Sequence, residues 1–157
     1  MWQGLIVSIH VAREASAPME TLAEARAIPG RGLEGDRYFL GTGFYSSRPG
    51  VGGREITLIE TETLDALGKM LNIKLSAVDS RRNIATMGVP LNHLADREFR
   101  VGEVLMVGTR LCEPCMHPEE LTRLQGVMSG LVHRGGLRAR ILSEGVIRAG
   151  DAITPKA

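Results

Sequence analysis

The two cysteines of this 157-residue chain lie close together in the segment LCEPCMHPEE, residues 111–120. Cys112 and Cys115 form a C-x-x-C pair, and His117 follows two positions later. Three kinds of chemistry use thiols in such an arrangement: a structural metal site, a dithiol redox pair and a single reactive thiolate. Two buried cysteines without any chemistry are the fourth alternative.

A structural zinc site needs four ligands, normally supplied by a second C-x-x-C pair or by two suitably spaced histidines. The chain has no second pair, and His117 and His133 are too far apart for a zinc finger. A helix predicted for residues 117–126 would follow Cys115 closely, and the positive end of a helix lowers the pKa of a nearby thiol. The surroundings do not match the strand–helix start of a thioredoxin-like domain. The sequence therefore favours one reactive or metal-coordinating thiolate at Cys115, while a redox pair and an inert pair stay open.

Arginine dominates the basic residues, because only three of the 19 lysines and arginines are lysines. The planar fork of arginine suits carboxylate and phosphate, although arginine-rich codon usage explains the bias equally well. Residues 80–84 and 132–140 combine arginine with polar neighbours or paired glycines, which suits an anionic ligand. We expect Arg138 and Arg140 to point into water, because they alternate with apolar residues on a predicted strand. His133 either serves as a hydrogen-bond or proton donor to a ligand or is an ordinary turn histidine.

Patterns of hydrophobic residues predict mostly short strands, at residues 4–12, 55–60, 82–89 and on both sides of Ser143-Glu144-Gly145. A hairpin is predicted at Gly102-Glu103, a helix over residues 61–71 and a helical turn near residues 91–96. The glycine-rich residues 29–55 are predicted to form one long loop, without the signatures of a phosphate-binding or dinucleotide-binding loop. Alternation along the first strand places His10 opposite the apolar row, as a surface histidine. These elements predict a mainly antiparallel β-barrel with a few inserted α-helices and room for one parallel crossover.

The composition is that of a single globular domain over residues 1–157, with 43% hydrophobic and 24% charged residues. A formal net charge of +1 argues against bulk nucleic acid as the main partner. No apolar run is long enough to span a bilayer, and the amino terminus lacks the pattern of a secretory signal. We therefore expect a cytoplasmic protein without membrane or nucleic-acid partners.

Five segments taken together resemble the MOSC domain, a family named for the carboxy-terminal part of molybdenum cofactor sulfurases. In chain order they are GLEGDRY, GREITLIETETLDAL, DSRRNIATMGVPLN, FRVGEVLMVGTRLCEPC and GLVHRGGLRARILSEGVIRAGD. The resemblance runs over roughly residues 30–153, and the succession of segments is more specific than any single motif. It implies a mainly β fold like the barrel domain of pyruvate kinase.

The resemblance also implies roles for individual residues. It identifies Cys115 with the invariant cysteine of the family, which carries sulfur or ligates molybdenum, and leaves Cys112 as a variable partner. It places His133 beside Cys115 in the catalytic group. The residues implied to bind the pterin of the molybdenum cofactor are Arg54, Arg81, Arg82, Asn83, Arg134 and Gly135.

Three functions remain as hypotheses from this resemblance. The first is a molybdenum-dependent oxidoreductase that reduces N-hydroxylated compounds with electrons from a donor protein. The second is a sulfur carrier, in which Cys115 receives a persulfide from a cysteine desulfurase and passes it to a metal–sulfur centre. The third is a cofactor-binding module without chemistry. Pyridoxal phosphate binding enters only by association with the family.

Overall fold

Short strands make up most of the secondary structure in the computed structural model, which describes residues 1–41, 55–112 and 134–156. The strands are β1 (Gly4–Val11), β2 (Glu20–Leu22), β3 (Glu24–Ile28), β4 (Gly32–Leu33), β5 (Ile56–Glu60), β6 (Ile84–Met87), β7 (Glu98–Val101), β8 (Val104–Leu111), β9 (Leu137–Ile141), β10 (Gly145–Arg148) and β11 (Ala152–Pro155). The helices are α1 (Arg37–Leu40) and α2 (Thr61–Leu71), and a 3₁₀ turn covers Leu91–His93.

Seven strands close into a barrel in the order β1, β6, β5, β9, β8, β7 and β11, because β11 pairs back with β1. Strands β5 and β6 are parallel and are joined through α2, whereas the other neighbours in the barrel are antiparallel. Strand β2 extends the sheet beside β1, and β10, β3 and β4 form a second, smaller sheet. The predicted mainly β barrel with inserted helices and one parallel crossover is confirmed.

The interior of the barrel is filled with apolar side chains. Successive side chains of a strand point to opposite faces, so every second residue of each barrel strand reaches the interior. The residues that share this cluster include Ile6, Ile9, Ile56, Leu58, Ile84, Phe99, Val101, Val104, Met106, Leu137, Ala139 and Ile153. Removing each of the larger side chains in this set from water contributes about 1.5–3 kcal/mol, which makes this cluster the main source of stability. Polar side chains must therefore lie outside the barrel or at its ends.

Helix α2 packs on the outer face of β5 and β6. Leu67 on the helix is fully buried against Ile59 and Ala85, which point away from the barrel interior. The helix ends at Asn72, which adopts a left-handed conformation with φ of 54° and donates its N–H to the carbonyl of Leu67. The predicted helix over residues 61–71 is confirmed. Among the described residues, no helix is long and apolar enough to span a membrane.

His10 is completely buried, so its prediction as a surface residue is wrong. It does lie opposite Ile9 and Val11, which belong to the core cluster, but the outer face of β1 is covered at this point. A β-bulge also shifts the register of β1 against β6 between Ile6 and Ser8. Regular alternation therefore fails along this strand, because a bulge adds one residue on one side of the ladder.

The predicted long loop over residues 29–55 is wrong in its first part. Strand β4 and helix α1 lie within it, and Asp36 caps α1 by accepting a hydrogen bond from the backbone N–H of Tyr38 at 3.3 Å. Residues 42–54 lie outside the described residues, and so does the helix predicted for residues 117–126.

Candidate functional site

The candidate site includes the segment from Ser80 to Asn83, which directly precedes strand β6. Arg81 has a positive φ of 61°, which is uncommon for a residue with a side chain. The hydroxyl of Ser80 accepts a hydrogen bond from the N–H of Arg82 at 3.3 Å, and its own proton goes to the carbonyl of Ala77 at 2.5 Å. The sharp change in backbone direction sends the side chains of Arg81 and Arg82 to different partners.

Asn83, just before β6, is linked to β5 and β1 through hydrogen bonds of its side-chain oxygen and nitrogen. Its Oδ1 accepts from the backbone N–H of Thr57 at 3.0 Å and from the Thr57 hydroxyl at 3.2 Å. Its Nδ2 donates to the carbonyl of His10 at 3.1 Å. Asn83 is fully buried, so this geometry favours a positioning role, and the cofactor contact implied by the family resemblance stays a prediction.

The ring of His10 has one fixed hydrogen bond. Its Nδ1 lies 2.9 Å from the carbonyl oxygen of Arg82, and a carbonyl can only accept, so Nδ1 carries the proton. The other ring nitrogen, Nε2, is buried and has no hydrogen-bond partner in the described part of the chain. Burial lowers the pKa of His10, against a smaller raising effect of the bond to Arg82. A neutral ring with a bare Nε2 lone pair follows from these contacts.

Arg81 is buried and only partly satisfied. Its Nη1 donates to the carbonyl of Ala17 at 2.6 Å, whereas its Nη2 is buried without a partner within the described ranges. Burial, followed by repulsion from Arg37, lowers the pKa of Arg81 to about 10. The guanidinium is therefore still charged at neutral pH, and its Nη2 is a donor without an acceptor among the described residues.

The side chain of Arg37 fixes the backbone of Arg81 by a hydrogen bond. Its Nη2 donates to the Arg81 carbonyl at 3.1 Å, and its Nη1 lies 3.1 Å from Oδ1 of Asp36. The same carboxylate oxygen accepts from the N–H of Ala12, at the end of β1. The Asp36–Arg37 ion pair is almost completely buried, so each charge depends on the other. Asp36 and Arg37 were not among the predicted site residues, and their position next to each other in a glycine-rich segment was the available signal.

Arg82 ties strand β6 to the glycines that precede β9. Its Nε donates to the carbonyl of Gly135 at 2.7 Å. A side chain at Gly135 would place its Cβ 2.0 Å from the carbonyl oxygen of Cys112, and at Gly136 it would meet the carbonyl of Leu58 at 2.0 Å. The paired glycines are therefore required for the close approach of three backbone segments.

Cys112 lies at this junction and not in the barrel core. Its N–H donates to the carbonyl of Gly136 at 2.8 Å, and its thiol is buried, with 2% of the residue exposed. It is a free cysteine. Among the described residues, no cluster of three histidine, cysteine, aspartate or glutamate side chains could hold a metal ion.

Three of the predicted site residues, Cys115, His133 and Arg54, lie outside the described residues. The structure brings Arg81, Arg82, Asn83 and Gly135 together at one end of the barrel through the contacts above. Arg134 is exposed, next to Gly135. A separate groove of about 670 Å³, lined by Trp2, Pro90, His93 and Arg97 among others, contains none of these residues.

Arg138 departs from its predicted orientation into water. It is half-buried, and its Nη1 is completely covered without a partner in the described part of the chain. Arg140, two residues later on the same face, is exposed as predicted. Arg138 lies directly opposite Thr57 on β5, which is itself bonded to Asn83.

The model of the MOSC domain family matches residues 46–154, which is more than half of the chain. The chain belongs to the MOSC domain family. Solved structures share its fold at low sequence identity. The YUAD protein from Bacillus subtilis is 15% identical with a TM-score of 0.81, and the match covers 98% of this chain and 97% of that one.

Two proteins named YiiM have the same fold and longer chains. YiiM from Geobacillus stearothermophilus is 15% identical with a TM-score of 0.75, and the match covers 98% of this MOSC chain and 75% of that chain. YiiM from Escherichia coli is also 15% identical, with a TM-score of 0.67 and coverage of 98% and 70%. At this identity the likeness concerns the fold alone. The comparison with curated proteins gave no match.

Proposed function

We propose that this MOSC-domain protein binds the molybdenum cofactor through Cys115 and acts as a molybdenum-dependent reductase of N-hydroxylated compounds. The observation that carries the proposal is the buried, charged guanidinium of Arg81, whose Nη2 has no acceptor among the described residues. Burying a charged donor without a partner is costly, so such a group is expected to face an anion when the site is filled.

The described residues fit the anionic end of a pterin cofactor. Its phosphate requires hydrogen-bond donors and positive charge, and Arg81 offers both at a rigid backbone position. The Nε2 of His10, whose ring is bonded through Nδ1 to the backbone of Arg82, has no partner among the described residues and offers an acceptor for an N–H or O–H group. Donor and acceptor together suit a ligand that carries both a phosphate and polar ring atoms.

Arg82, Asn83 and Gly135 hold this end of the site in place. Arg82 fixes the glycine segment that leads from His133 and Arg134 into β9, and Asn83 fixes the backbone of His10 and Thr57. Cys115 follows Cys112 by three residues, and thiolate sulfur is a ligand type that suits a soft metal centre. When bound, the cofactor would supply two-electron chemistry: the N–O bond of the substrate breaks, two electrons come from an external donor protein, and two protons yield the amine and water.

The test is the metal and pterin content of protein produced in a host that makes the cofactor. We expect molybdenum and pterin to copurify with the unchanged chain, to be lost in Cys115→Ser, and to fall at least about tenfold in Arg81→Gln, as for a lost bond to a charged group. Arg148→Gln is the matched control, because Arg148 pairs with Glu24 on the surface, at 3.0 Å. Equal cofactor content in Arg81→Gln and Arg148→Gln would contradict the assignment of Arg81.

Absence of molybdenum and pterin from the unchanged protein would refute the reductase proposal. The sulfur-carrier alternative then predicts a mass increase of one sulfur atom on Cys115 after incubation with a cysteine desulfurase. That increase should be abolished in Cys115→Ser and retained in Cys112→Ser.

A further inference from the structure

Two arginines face each other across neighbouring strands on the outside of the barrel. Arg110 on β8 lies directly opposite Arg138 on β9, and the next pair, Leu111 and Leu137, packs into the interior. Alternation therefore puts both arginines on the outer face. Like charges directly opposite each other on antiparallel strands destabilise a sheet, so this pair needs a compensating interaction.

No compensating carboxylate is found in the described ranges. The ion pairs there are Arg26–Glu144, Arg37–Asp36, Arg148–Glu24 and Lys156–Glu98, and none involves Arg110 or Arg138. The Nη1 of Arg138 is also buried and has no acceptor among the residues that the structure describes. A covered donor next to a second, unbalanced guanidinium is the arrangement expected of an anion-binding site.

The strand on the other side of β9, which is β5, places an uncharged residue opposite Arg138. Thr57 on β5 is the other cross-strand neighbour of Arg138, and its hydroxyl is already bonded to Asn83. It has no charge to offer Arg138. Glu55, the carboxylate nearest to Thr57 in the sequence, accepts from the N–H of Ile141 at 2.6 Å and forms no ion pair with either arginine within the described residues, so a ligand would have to bring the negative charge.

We propose that Arg110 and Arg138 form an oxyanion site for the carboxylate or phosphate group of a small molecule. Each guanidinium can bind two oxygens of such a group in a plane, and two forks from adjacent strands enclose it from two sides. Arg110 precedes Cys112 by two residues, which is about 7 Å along a strand. The site would therefore hold the charged group of a molecule close to the C-x-x-C segment.

This inference goes beyond the proposed function, because it requires neither molybdenum nor pterin. It is tested on the cofactor-free protein by titration with inorganic phosphate and, separately, with benzoate, at constant ionic strength adjusted with chloride. Calorimetry gives the dissociation constants, and phosphorus NMR follows the phosphate directly. Because Arg81 offers phosphate a second site, the titrations are repeated in an Arg81→Gln background.

We expect Arg138→Gln and Arg110→Gln to weaken oxyanion binding at least about tenfold in both backgrounds, as for a lost bond to a charged group. Arg100→Gln is the matched control. Arg100 is an exposed strand arginine whose cross-strand neighbours are Leu105 and Thr154. Its replacement therefore removes the same charge at a place where no second arginine lies opposite. The dissociation constants of Arg100→Gln for phosphate and benzoate should stay within about twofold of those of the unchanged protein, as expected for an exposed charge screened by salt.

Binding of phosphate alone would identify a phosphate ester as the ligand class, and binding of benzoate alone would identify a carboxylate. Failure of both probes to bind, or equal weakening in Arg138→Gln and Arg100→Gln, would overturn the proposal. A purely structural role of Arg138 predicts a large fall in melting temperature in anion-free buffer. The oxyanion site predicts a melting temperature equal to or above that of the unchanged protein, because the substitution relieves repulsion.

Discussion

Replacement of Asn83 by alanine tests whether this residue holds the site together. The substitution removes an amide that accepts from the N–H of Thr57 and donates to the carbonyl of His10, at 3.0 and 3.1 Å. Both backbone groups belong to buried residues and would lose their side-chain partner. The Thr57 hydroxyl keeps one bond, because it also accepts from the N–H of Asn83 at 3.1 Å.

The expected loss follows from these two groups. A buried donor or acceptor left without a partner costs about 1–3 kcal/mol, so the variant should lose about 2–6 kcal/mol of its free energy of unfolding. Since a domain of this size has about 5–15 kcal/mol to lose, Asn83→Ala should be one of the most damaging single changes outside the barrel core. A corresponding fall of about 10 °C in the melting temperature is expected.

Urea unfolding followed by the fluorescence of the single tryptophan, Trp2, measures this loss. Gln3→Ala, an amide removed from an exposed position just before β1, should change the free energy by less than about 0.5 kcal/mol. Combining Asn83→Ala with Thr57→Val should cost clearly less than the sum of the two, because the two residues share their bonds. A loss below about 1 kcal/mol for Asn83→Ala, with an unchanged urea dependence, would refute the positioning role.

Three further predictions concern the surroundings of Asn83. Because burial lowers the pKa of His10 below 6.5, the unfolded chain binds a proton first as the pH falls, so stability that is present above pH 6.5 is lost as the pH drops below it. Urea unfolding at pH 7.5 and 5.5 should therefore show a smaller loss of unfolding free energy in His10→Gln than in the unchanged protein, and an equal loss in both would contradict the assignment. Gly136→Ala should lower the free energy of unfolding by more than about 3 kcal/mol, because Gly136 has a φ of 105° and a backbone carbonyl would lie 2.0 Å from the new Cβ. Gly30→Ala, at a φ of 79° but in open space, should lower it by about 1 kcal/mol in the same unfolding assay. In Cys115→Ser the remaining thiol is that of Cys112, which is buried. It should react with a thiol reagent at least about a hundredfold more slowly in the folded than in the urea-unfolded protein. Similar rates in the two states would show that the backbone around Cys112 opens readily.

The barrel could be predicted from the sequence because several of its elements have strong local patterns. Strand β5, helix α2, and the hairpin of β7 and β8 lie where apolar spacing, a glycine turn and β-branched residues indicated them. Strand β3 is different, because its sequence EARAI is rich in alanine and glutamate, which are depleted in strands. It is extended because it pairs with β10, more than a hundred residues later, and local pattern cannot report such a partner.

The candidate site could be predicted only in outline. The arginines of residues 80–83 and the paired glycines were identified from residue type alone, and they do lie together. What each one does depends on distant partners: Arg82 bonds to Gly135, and Asn83 bonds to His10 and Thr57. Arg138 was assigned to solvent by alternation alone, but alternation gives the face of a sheet and does not report what covers that face.

The filled interior of the barrel determines where a ligand of this protein can bind. Since apolar side chains occupy the inside, the polar residues form a row across the outer face, from His10 on β1 through Asn83 and Thr57 to Arg138 and Arg110. The middle of this row is uncharged, since Asn83 and Thr57 bond to each other. Towards each end lies a guanidinium with a donor that has no partner in the described part of the chain, Arg81 on one side and Arg138 on the other. Two steps between strands separate β6 from β9, or about 10 Å. The proposed cofactor site at Arg81 and the proposed oxyanion site at Arg138 and Arg110 therefore lie at different strands, with the uncharged Asn83 and Thr57 between them.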